Sequence, residues 1–367
     1  MVLKRHHLLF LSLFLFFTSS VYASSRMDEI SSFLDKIESQ GQSVQSDKYN
    51  ETKIDTDKVF LYPFWRGTHY DPFNDLTGGN DLGFSVSCYV GYSYLDGDTT
   101  YKITSVDGTQ SELEFPLESS LVGGKLDVAY NDPAFSYYSP KFIWSLELYG
   151  DVDNSGNLKD RDWIAGDGQS GLDIYSESRV EMDARIADMS LLWNMWVNEG
   201  AAFGLVLGFR YHKFEYRAYD TNQVGYGIYA LTYTDYYPGA TLRYYVKYKM
   251  PYIGFSWNTR MGDRLYLDGR MLYSPYVDVD DKDDHLLRYK LSKTSADGDA
   301  FLMSLHGRYS LRSGWFVDLG MEYGSIDTDG IQHQEFYAGT YAGTTYDVHN
   351  DISSEYGMAT LSLGKNF

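Results

Sequence analysis

The sequence predicts an all-β protein, a transmembrane antiparallel up-and-down β-barrel of ten strands with long extracellular loops. Three observations lead to this prediction. Apolar and polar residues alternate with a period of two from about residue 80 onward. Short and long connections between the alternating segments follow one another strictly along the chain. No apolar run after residue 23 reaches the roughly 20 residues that a transmembrane helix needs, so a membrane-spanning form has to use strands.

The composition favours strands and argues against a nucleic-acid partner. The chain of 367 residues contains 35 tyrosines, 34 glycines and 8 prolines, as is typical of many strands with amphipathic surfaces. Its formal net charge is −20, whereas binding to nucleic-acid phosphates requires clustered lysine and arginine. The single cysteine, Cys88, excludes an intramolecular disulfide framework and a cysteine-based metal cluster.

The first 79 residues differ from the rest. Residues 1–23 combine a basic start, the apolar run Leu8–Phe17 and small residues before Ala23, which predicts a signal peptide rather than a retained anchor. In residues 24–79, apolar side chains at helical spacing (Ile30, Phe33, Leu34 and Ile37) precede a polar stretch. We expect a short amphipathic helix and a linker in the periplasm, with a docking or plugging helix as the alternative. The barrel is then assigned to residues 80–367.

The strands are indicated by alternation in segments such as 142–148, 203–212 and 315–324. Alternation alone fits both a soluble sandwich and a membrane barrel, and the connections distinguish the two. Short turn signals occur at four places, residues 131–133, 198–200, 260–263 and 312–314. Long polar stretches occur at five, residues 96–110, 151–175, 219–239, 278–299 and 326–352. Nine connections join ten strands and keep every long one on the same rim, which a sandwich has no reason to do.

Aromatic residues near the predicted strand ends, and the chain end itself, favour the membrane barrel. Tyr92, Tyr94, Tyr149 and Tyr244 suit the interfacial girdles of such a barrel. The last strand ends on Phe367, which resembles the assembly signal of bacterial outer-membrane barrels. We therefore expect the bacterial outer membrane, with the long loops facing the cell exterior.

Two acidic clusters, residues 151–163 and 278–285, fall on the predicted long-loop rim. Asp283 and His285 are two residues apart, so on an extended segment both side chains point the same way. A carboxylate beside an imidazole can hold and deprotonate a water molecule. The alternative is that these acidic residues only form a solvated surface.

The first acidic cluster also has the spacing of a calcium loop. The ligand-type positions are Asp151, Asp153, Ser155, Asn157 and Asp162. Lys159 at the ninth position, and predicted strands rather than helices on both sides, weaken this alternative. We therefore favour no metal. If calcium did bind, Asp162 would not be free for catalysis.

Three short motifs resemble those of the omptins, the ten-stranded outer-membrane proteases of Gram-negative bacteria. The most specific is Tyr-Lys-Met-Pro-Tyr-Ile-Gly at residues 248–254. The others are Asp-Arg-Asp-Trp at residues 160–163 and Asp-Asp-His at residues 283–285. Order and spacing agree over residues 80–367, and residues 24–79 have no counterpart in the family.

The resemblance implies an endopeptidase that cleaves between basic residues. Asp160 and Asp162 would face Asp283 and His285 across the barrel mouth, and a water held between the pairs would attack the peptide carbonyl. The resemblance further implies that Asp98 and Asp281 receive a basic P1 side chain and that Asp173 serves the next subsite. It also implies activation by lipopolysaccharide bound at Lys247 and Lys213. No other cofactor is expected.

The alternative to a protease is a non-catalytic barrel, either an adhesin or structural protein with cation-binding acidic loops, or a porin. A porin is the less favoured of these because a ten-stranded barrel is narrow. Charged residues on the predicted inner face would fill it with ion pairs: Arg210, Asp268, Asp318 and Glu322.

Overall fold

The chain forms a closed antiparallel β-barrel. A computed structural model describes residues 83–131, 139–166, 171–198, 201–261 and 264–367. The predicted signal peptide, the predicted helix and linker, and parts of three predicted short turns lie outside the described residues. The strands are β1 (Phe84–Thr104), β2 (Gln110–Pro116), β3 (Ser119–Tyr130), β4 (Phe142–Asn154), β5 (Asn157–Trp163), β6 (Ile174–Val197), β7 (Ala201–Gly225), β8 (Asp235–Met261), β9 (Leu265–His285), β10 (Lys290–Ser310), β11 (Trp315–Phe336) and β12 (Thr345–Asn366).

Ten of these strands form the ring, and the prediction of a ten-stranded barrel is confirmed. Each ring strand pairs with its neighbours, and β12 closes on β1 from Ser87↔Asn366 to Thr104↔His349. The two short strands extend ring strands towards one rim. β2 leads into β3 after a break at residues 117–118, and β5 continues β4 after a break at residues 155–156. At this rim β2 and β5 pair with each other and join β1 to β6.

Most of the residues predicted to form long loops lie in strands instead. β9 runs to His285 and β10 begins at Lys290, so the predicted loop 278–299 contains a connection of only four residues. The segment looked like a loop because its outward positions are charged. Its inward positions remain buried, as Val277, Val279 and Asp281 show. The long hairpins therefore extend the barrel wall beyond the membrane instead of forming irregular loops.

The outer face of the barrel carries an apolar belt that ends where charged residues begin. Exposed apolar side chains occur on many strands, among them Val90, Tyr92, Leu146, Leu148, Met189, Leu207, Phe209, Phe255, Leu319 and Leu361. On β9 the outward Tyr273 and Tyr276 are followed by outward Asp278 and Asp280. A lipid-facing band next to charged positions is typical of a membrane barrel. Among the described residues, no helix is both long and apolar enough to cross a membrane.

The inner face within the belt is filled by polar side chains that pair with one another. Arg210 donates to Asp188 at 2.8 Å and to Glu322 at 2.5 Å. Asp318 contacts His306 at 3.0 Å. Asp268 pairs with Arg270, as predicted for this face. These pairs satisfy charges that would otherwise be buried without partners.

Candidate active site

Strands β5 and β9 carry the four predicted catalytic residues to the long-hairpin rim, and all four face the barrel interior. On β5, Asp160 and Asp162 share the inward face with the buried Leu158. On β9, Asp283 and His285 continue the inward positions that precede them. The period of two in a strand fixes this arrangement, since residues two apart project from the same face.

Asp283 and His285 form a close pair. Nε2 of His285 lies 2.8 Å from Oδ2 of Asp283, although the ring N–H is not aligned for a straight hydrogen bond. The Asp283 side chain is only 2% exposed, and neither carboxylate oxygen has an aligned donor within the described part of the chain. A buried carboxylate without such a donor retains its capacity to orient an imidazole or to bind a water molecule.

Asp160 and Asp162 belong to the same electrostatic cluster. Burial, followed by the neighbouring charge of Asp162, raises the pKa of Asp160 from its ordinary value of 3.8 to about 7. The charge of Asp283 acts in the same direction, so β5 and β9 contribute to one site. The Ser111 hydroxyl lies 3.4 Å from the Asp160 carboxylate and supplies a hydrogen bond from β2.

Burial also affects the protonation of the His285 imidazole. It lowers the pKa of His285 below its ordinary value of 6.5, while the adjacent Asp283 opposes this shift. The positive charges of Lys290 and Arg288 lower the pKa further. The ring is therefore mostly neutral at neutral pH, which is the form that can accept a proton.

Two basic residues of the site were not predicted from the sequence. Lys290 is the cross-strand Cα partner of His285 and is 7% exposed. Arg288, in the β9–β10 turn, places Nη2 3.7 Å from Oδ2 of Asp162. Both lie in the segment interpreted as a long loop, where side-chain direction could not be assigned. Continuing the β10 alternation back from Ser292 would have placed Lys290 on the inward face.

The predicted pairing of Asp98 with Asp281 is wrong. On β1 the inward positions are odd-numbered, as the buried Ser93, Leu95 and Thr99 show, and Asp98 is on the opposite face. It lines a recess outside the barrel wall with Glu114, Glu118 and Lys159. Asp281 faces inward on β9. The two carboxylates are on opposite sides of the wall and cannot receive one basic side chain together.

Asp281 and Asp173 are both buried and hydrogen-bonded to backbone. Asp281 is 4% exposed and accepts from the Thr294 N–H at 2.8 Å. Burial raises its pKa to about 7, and the charge of Asp283 adds to this effect. Asp173 precedes β6 and accepts from the Ile164 N–H at 2.7 Å, so its carboxylate stabilises a turn at the rim.

Aromatic side chains form the floor beneath the site. Phe115 stacks on Tyr244 with ring centroids 4.3 Å apart, and Tyr101 and Tyr216 pack against this pair. All four rings are buried. Apolar packing thus closes the barrel interior directly below Asp160, Asp162 and Asp283. A ligand of these residues would enter from the open rim.

The calcium-loop alternative does not have the required geometry. Its residues lie along strands β4 and β5, with only a two-residue break, whereas a calcium loop wraps its ligands around the ion. The Asp151 carboxylate accepts from the Ala184 N–H at 2.9 Å, and Asn154 bonds to the backbone of Met182. In the part of the chain that the structure describes, no three His, Cys, Asp or Glu residues are grouped to hold a metal.

Lys213 and Lys247 lie side by side on the outer wall. They are cross-strand Cα partners on β7 and β8, and both project away from the buried inward positions. Lys213 forms an ion pair with Glu215. Lys247 lies 4.9 Å from the ring of Tyr245. The two lysines therefore lie on neighbouring strands of the outer wall.

A closed barrel with an apolar belt, and with carboxylates and a histidine gathered at one mouth, defines a membrane-spanning β-barrel protein with a candidate hydrolytic site. The chain belongs to the Omptin family, which its residues 95–367 match. The family resemblance drawn from the three sequence motifs is therefore confirmed, and with it the assignment to the outer membrane.

The solved structure of an outer membrane protease supports the fold. The outer membrane protease OmpT from Escherichia coli is similar to this chain with a TM-score of 0.65 at 14% identity, over 78% of this chain and 99% of OmpT. OprG from Pseudomonas aeruginosa has a TM-score of 0.29 at 11% identity, over 78% and 97% of the two chains. The NalP translocator domain from Neisseria meningitidis reaches 0.33 at 8% identity, over 84% and 99%. No curated protein sequence matches this chain.

The raised pKa of Asp160 predicts that this residue reduces stability at high pH. Its folded-state pKa of about 7 exceeds the ordinary 3.8, so stability is lost as the pH rises between these values. We expect Asp160→Asn to raise the free energy of unfolding at pH 8 by about 2 kcal/mol. Each unit of pKa shift corresponds to about 1.4 kcal/mol, and the effect of the whole shift is reduced because the neighbouring carboxylates share the proton.

Urea unfolding of the refolded protein in detergent micelles at pH 8 and pH 4 measures this effect. The gain from Asp160→Asn should disappear at pH 4. The control is Asp107→Asn, because Asp107 is exposed in the β1–β2 turn, and this variant should match the wild type at both pH values. Equal effects of Asp160→Asn at the two pH values would contradict the prediction.

Proposed function

We propose that this protein is an outer-membrane endopeptidase that hydrolyses peptide bonds next to basic residues at the cell exterior. The observation that carries the proposal is the gathering of Asp160, Asp162, Asp283 and His285 in one cluster at the open rim. Two carboxylates beside a neutral imidazole oriented by a third carboxylate are sufficient to activate water. Membership of the Omptin family and the barrel of the protease OmpT support the same function.

The proposed reaction uses water as the nucleophile. Asp160 and Asp162 hold the water, and His285 accepts its proton as the oxygen bonds to the peptide carbonyl carbon. The carbonyl becomes a tetrahedral oxyanion. When this intermediate collapses, the C–N bond breaks and His285 returns the proton to the leaving amine. Asp283 holds the imidazole in place and stabilises it while it is charged. No covalent enzyme intermediate is required.

The preference for basic substrates is supported by the charge of the rim. The formal net charge of the chain is −20, and many acidic residues lie above the apolar belt, where they would attract cationic peptides. The family resemblance implies Asp98 and Asp281 as the residues that receive the basic side chain, and of these two only Asp281 faces the interior beside the site. We propose that Asp281 contributes to this recognition and that lipopolysaccharide binds at Lys213 and Lys247.

A peptide-cleavage assay tests the proposal. The refolded protein, supplied with lipopolysaccharide, should cleave a fluorogenic peptide containing Arg-Lys and leave a peptide with Gln-Gln at the same positions intact. Mass spectrometry should place the cut at the basic pair. Absence of cleavage at any pH from 5 to 9, by protein that is fully folded, would reject the protease function in favour of a non-catalytic barrel.

A further inference from the structure

Lys290 is a buried cation in the middle of the acidic cluster. It is the first residue of β10, directly opposite His285 across the β9–β10 pair, and it is 7% exposed. Side chains of residues directly opposite in an antiparallel pair are neighbours, with Cβ atoms about 5 Å apart. Burying an ammonium group is unfavourable unless nearby negative charges offset the loss of hydration.

The negative charges that offset Lys290 are those of the candidate catalytic residues. Burial lowers the pKa of Lys290 below its ordinary value of 10.5, and the charges of Asp283, Asp160 and Asp162 oppose this shift, with Asp283 contributing most of the opposition. The salt bridges of Asp283 and Asp162 run to His285 and Arg288. Among the residues that the structure describes, Lys290 forms no salt bridge with a single carboxylate, so its charge is offset in part by the cluster as a whole.

The groups that face His285 come from strands β8, β9 and β10 and from the β9–β10 turn. Asp283 comes from β9, Arg288 from the turn and Lys290 from β10. From β8, its Cα partner is the uncharged Leu242. Asp160 and Asp162 complete the cluster from β5 and act on Lys290 across the mouth. Lys290 is thus the one buried cation among these neighbours, since Arg288 is half exposed.

We propose that Lys290 is a positioning residue of this site, whose positive charge opposite His285 keeps the imidazole unprotonated and offsets part of the negative charge of the three carboxylates. Three carboxylates alone would favour a protonated imidazole and would share protons among themselves. Lys290 opposes both effects, so the imidazole remains available as a base beside the carboxylates that hold the water. The consequence for peptide cleavage rests on the proposed function, whereas the consequence for His285 does not.

The test is an NMR titration of His285 in the refolded protein, labelled at histidine and assigned by comparison with His285→Gln. In Lys290→Met and Lys290→Gln, we expect the titration midpoint of His285 to rise by about one pH unit, because a neighbouring positive charge has been removed. Lys290→Arg keeps the charge and should keep the wild-type midpoint. Lys293→Met removes the same charge from an exposed outward position of β10 and should leave the midpoint unchanged.

Cleavage of the dibasic peptide by the same variants separates the two proposals. Lys290→Met should lose a few-fold more activity at pH 6 than at pH 8, since a higher midpoint protonates more of the base at pH 6. A midpoint unmoved by Lys290→Met and Lys290→Gln, or moved equally by Lys293→Met, overturns the role of Lys290 even if the protein is a protease. A shifted midpoint without any cleavage upholds the role of Lys290 and rejects the protease.

Discussion

Replacing His285 with alanine is expected to lower kcat/KM for the dibasic peptide by about 10²–10⁴-fold, the usual contribution of a general base. The imidazole is the one group of the cluster that is mostly neutral at neutral pH and beside a carboxylate that can orient it, with Nε2 2.8 Å from Asp283. Without it, the group that takes the proton from water and returns it to the leaving amine in the proposed reaction is missing.

A matched histidine on the outer wall provides the control. His333 also pairs with an aspartate, with Nδ1 2.8 Å from Asp347, but both side chains are exposed on the outward face of the barrel. We expect His333→Ala to retain wild-type activity. Both variants should refold to the same heat-modifiable species on gels. Equal kcat/KM for His285→Ala and the wild type would contradict the assignment of His285 as the base.

Replacing Arg210 with methionine is expected to reduce the free energy of unfolding by about 3–5 kcal/mol, the usual effect of removing one partner from a buried ion pair. The guanidinium bonds to Asp188 at 2.8 Å and to Glu322 at 2.5 Å, and all three side chains are nearly inaccessible to solvent. Its removal leaves two carboxylates in the barrel interior without their cation. Methionine has a similar volume, so the loss should reflect charge rather than a cavity.

Arg217 on the same strand is the control, because its side chain is exposed on the outward face. Arg217→Met should change the free energy of unfolding by less than about 0.5 kcal/mol. Tryptophan fluorescence during urea unfolding in micelles measures both variants. If Arg210→Met were as stable as Arg217→Met, the interior ion pairs would not be a major source of barrel stability.

The alternation of apolar and polar residues predicted the barrel because lipid outside and packed side chains inside impose a period of two on every strand. The same reasoning failed above the membrane. There the outward positions face water, so segments such as residues 278–285 are polar enough to resemble loops although Val277 and Val279 maintain the inward face. Following only the inward positions would have extended the strands correctly.

The candidate site was predictable where it depended on strand geometry alone. Asp283 and His285 could be assigned to one face because they are two residues apart on β9. The family resemblance implies Asp98 as a substrate-binding residue, whereas the β1 alternation places it outside the wall. Lys290 was missed because its contact with His285 depends on the register of the β9–β10 hairpin, and that register depends on the length of the turn.

The central claim is that the pairs on β5 and β9 act on one water molecule as a single catalytic unit. Its most direct test compares kcat/KM of Asp162→Asn, His285→Ala and the double variant with the wild type, all on the dibasic peptide. Residues that act as a unit are strongly non-additive. We predict that the double variant is no slower than the slower single variant. Fully multiplicative losses, or wild-type activity in either single variant, would contradict the claim.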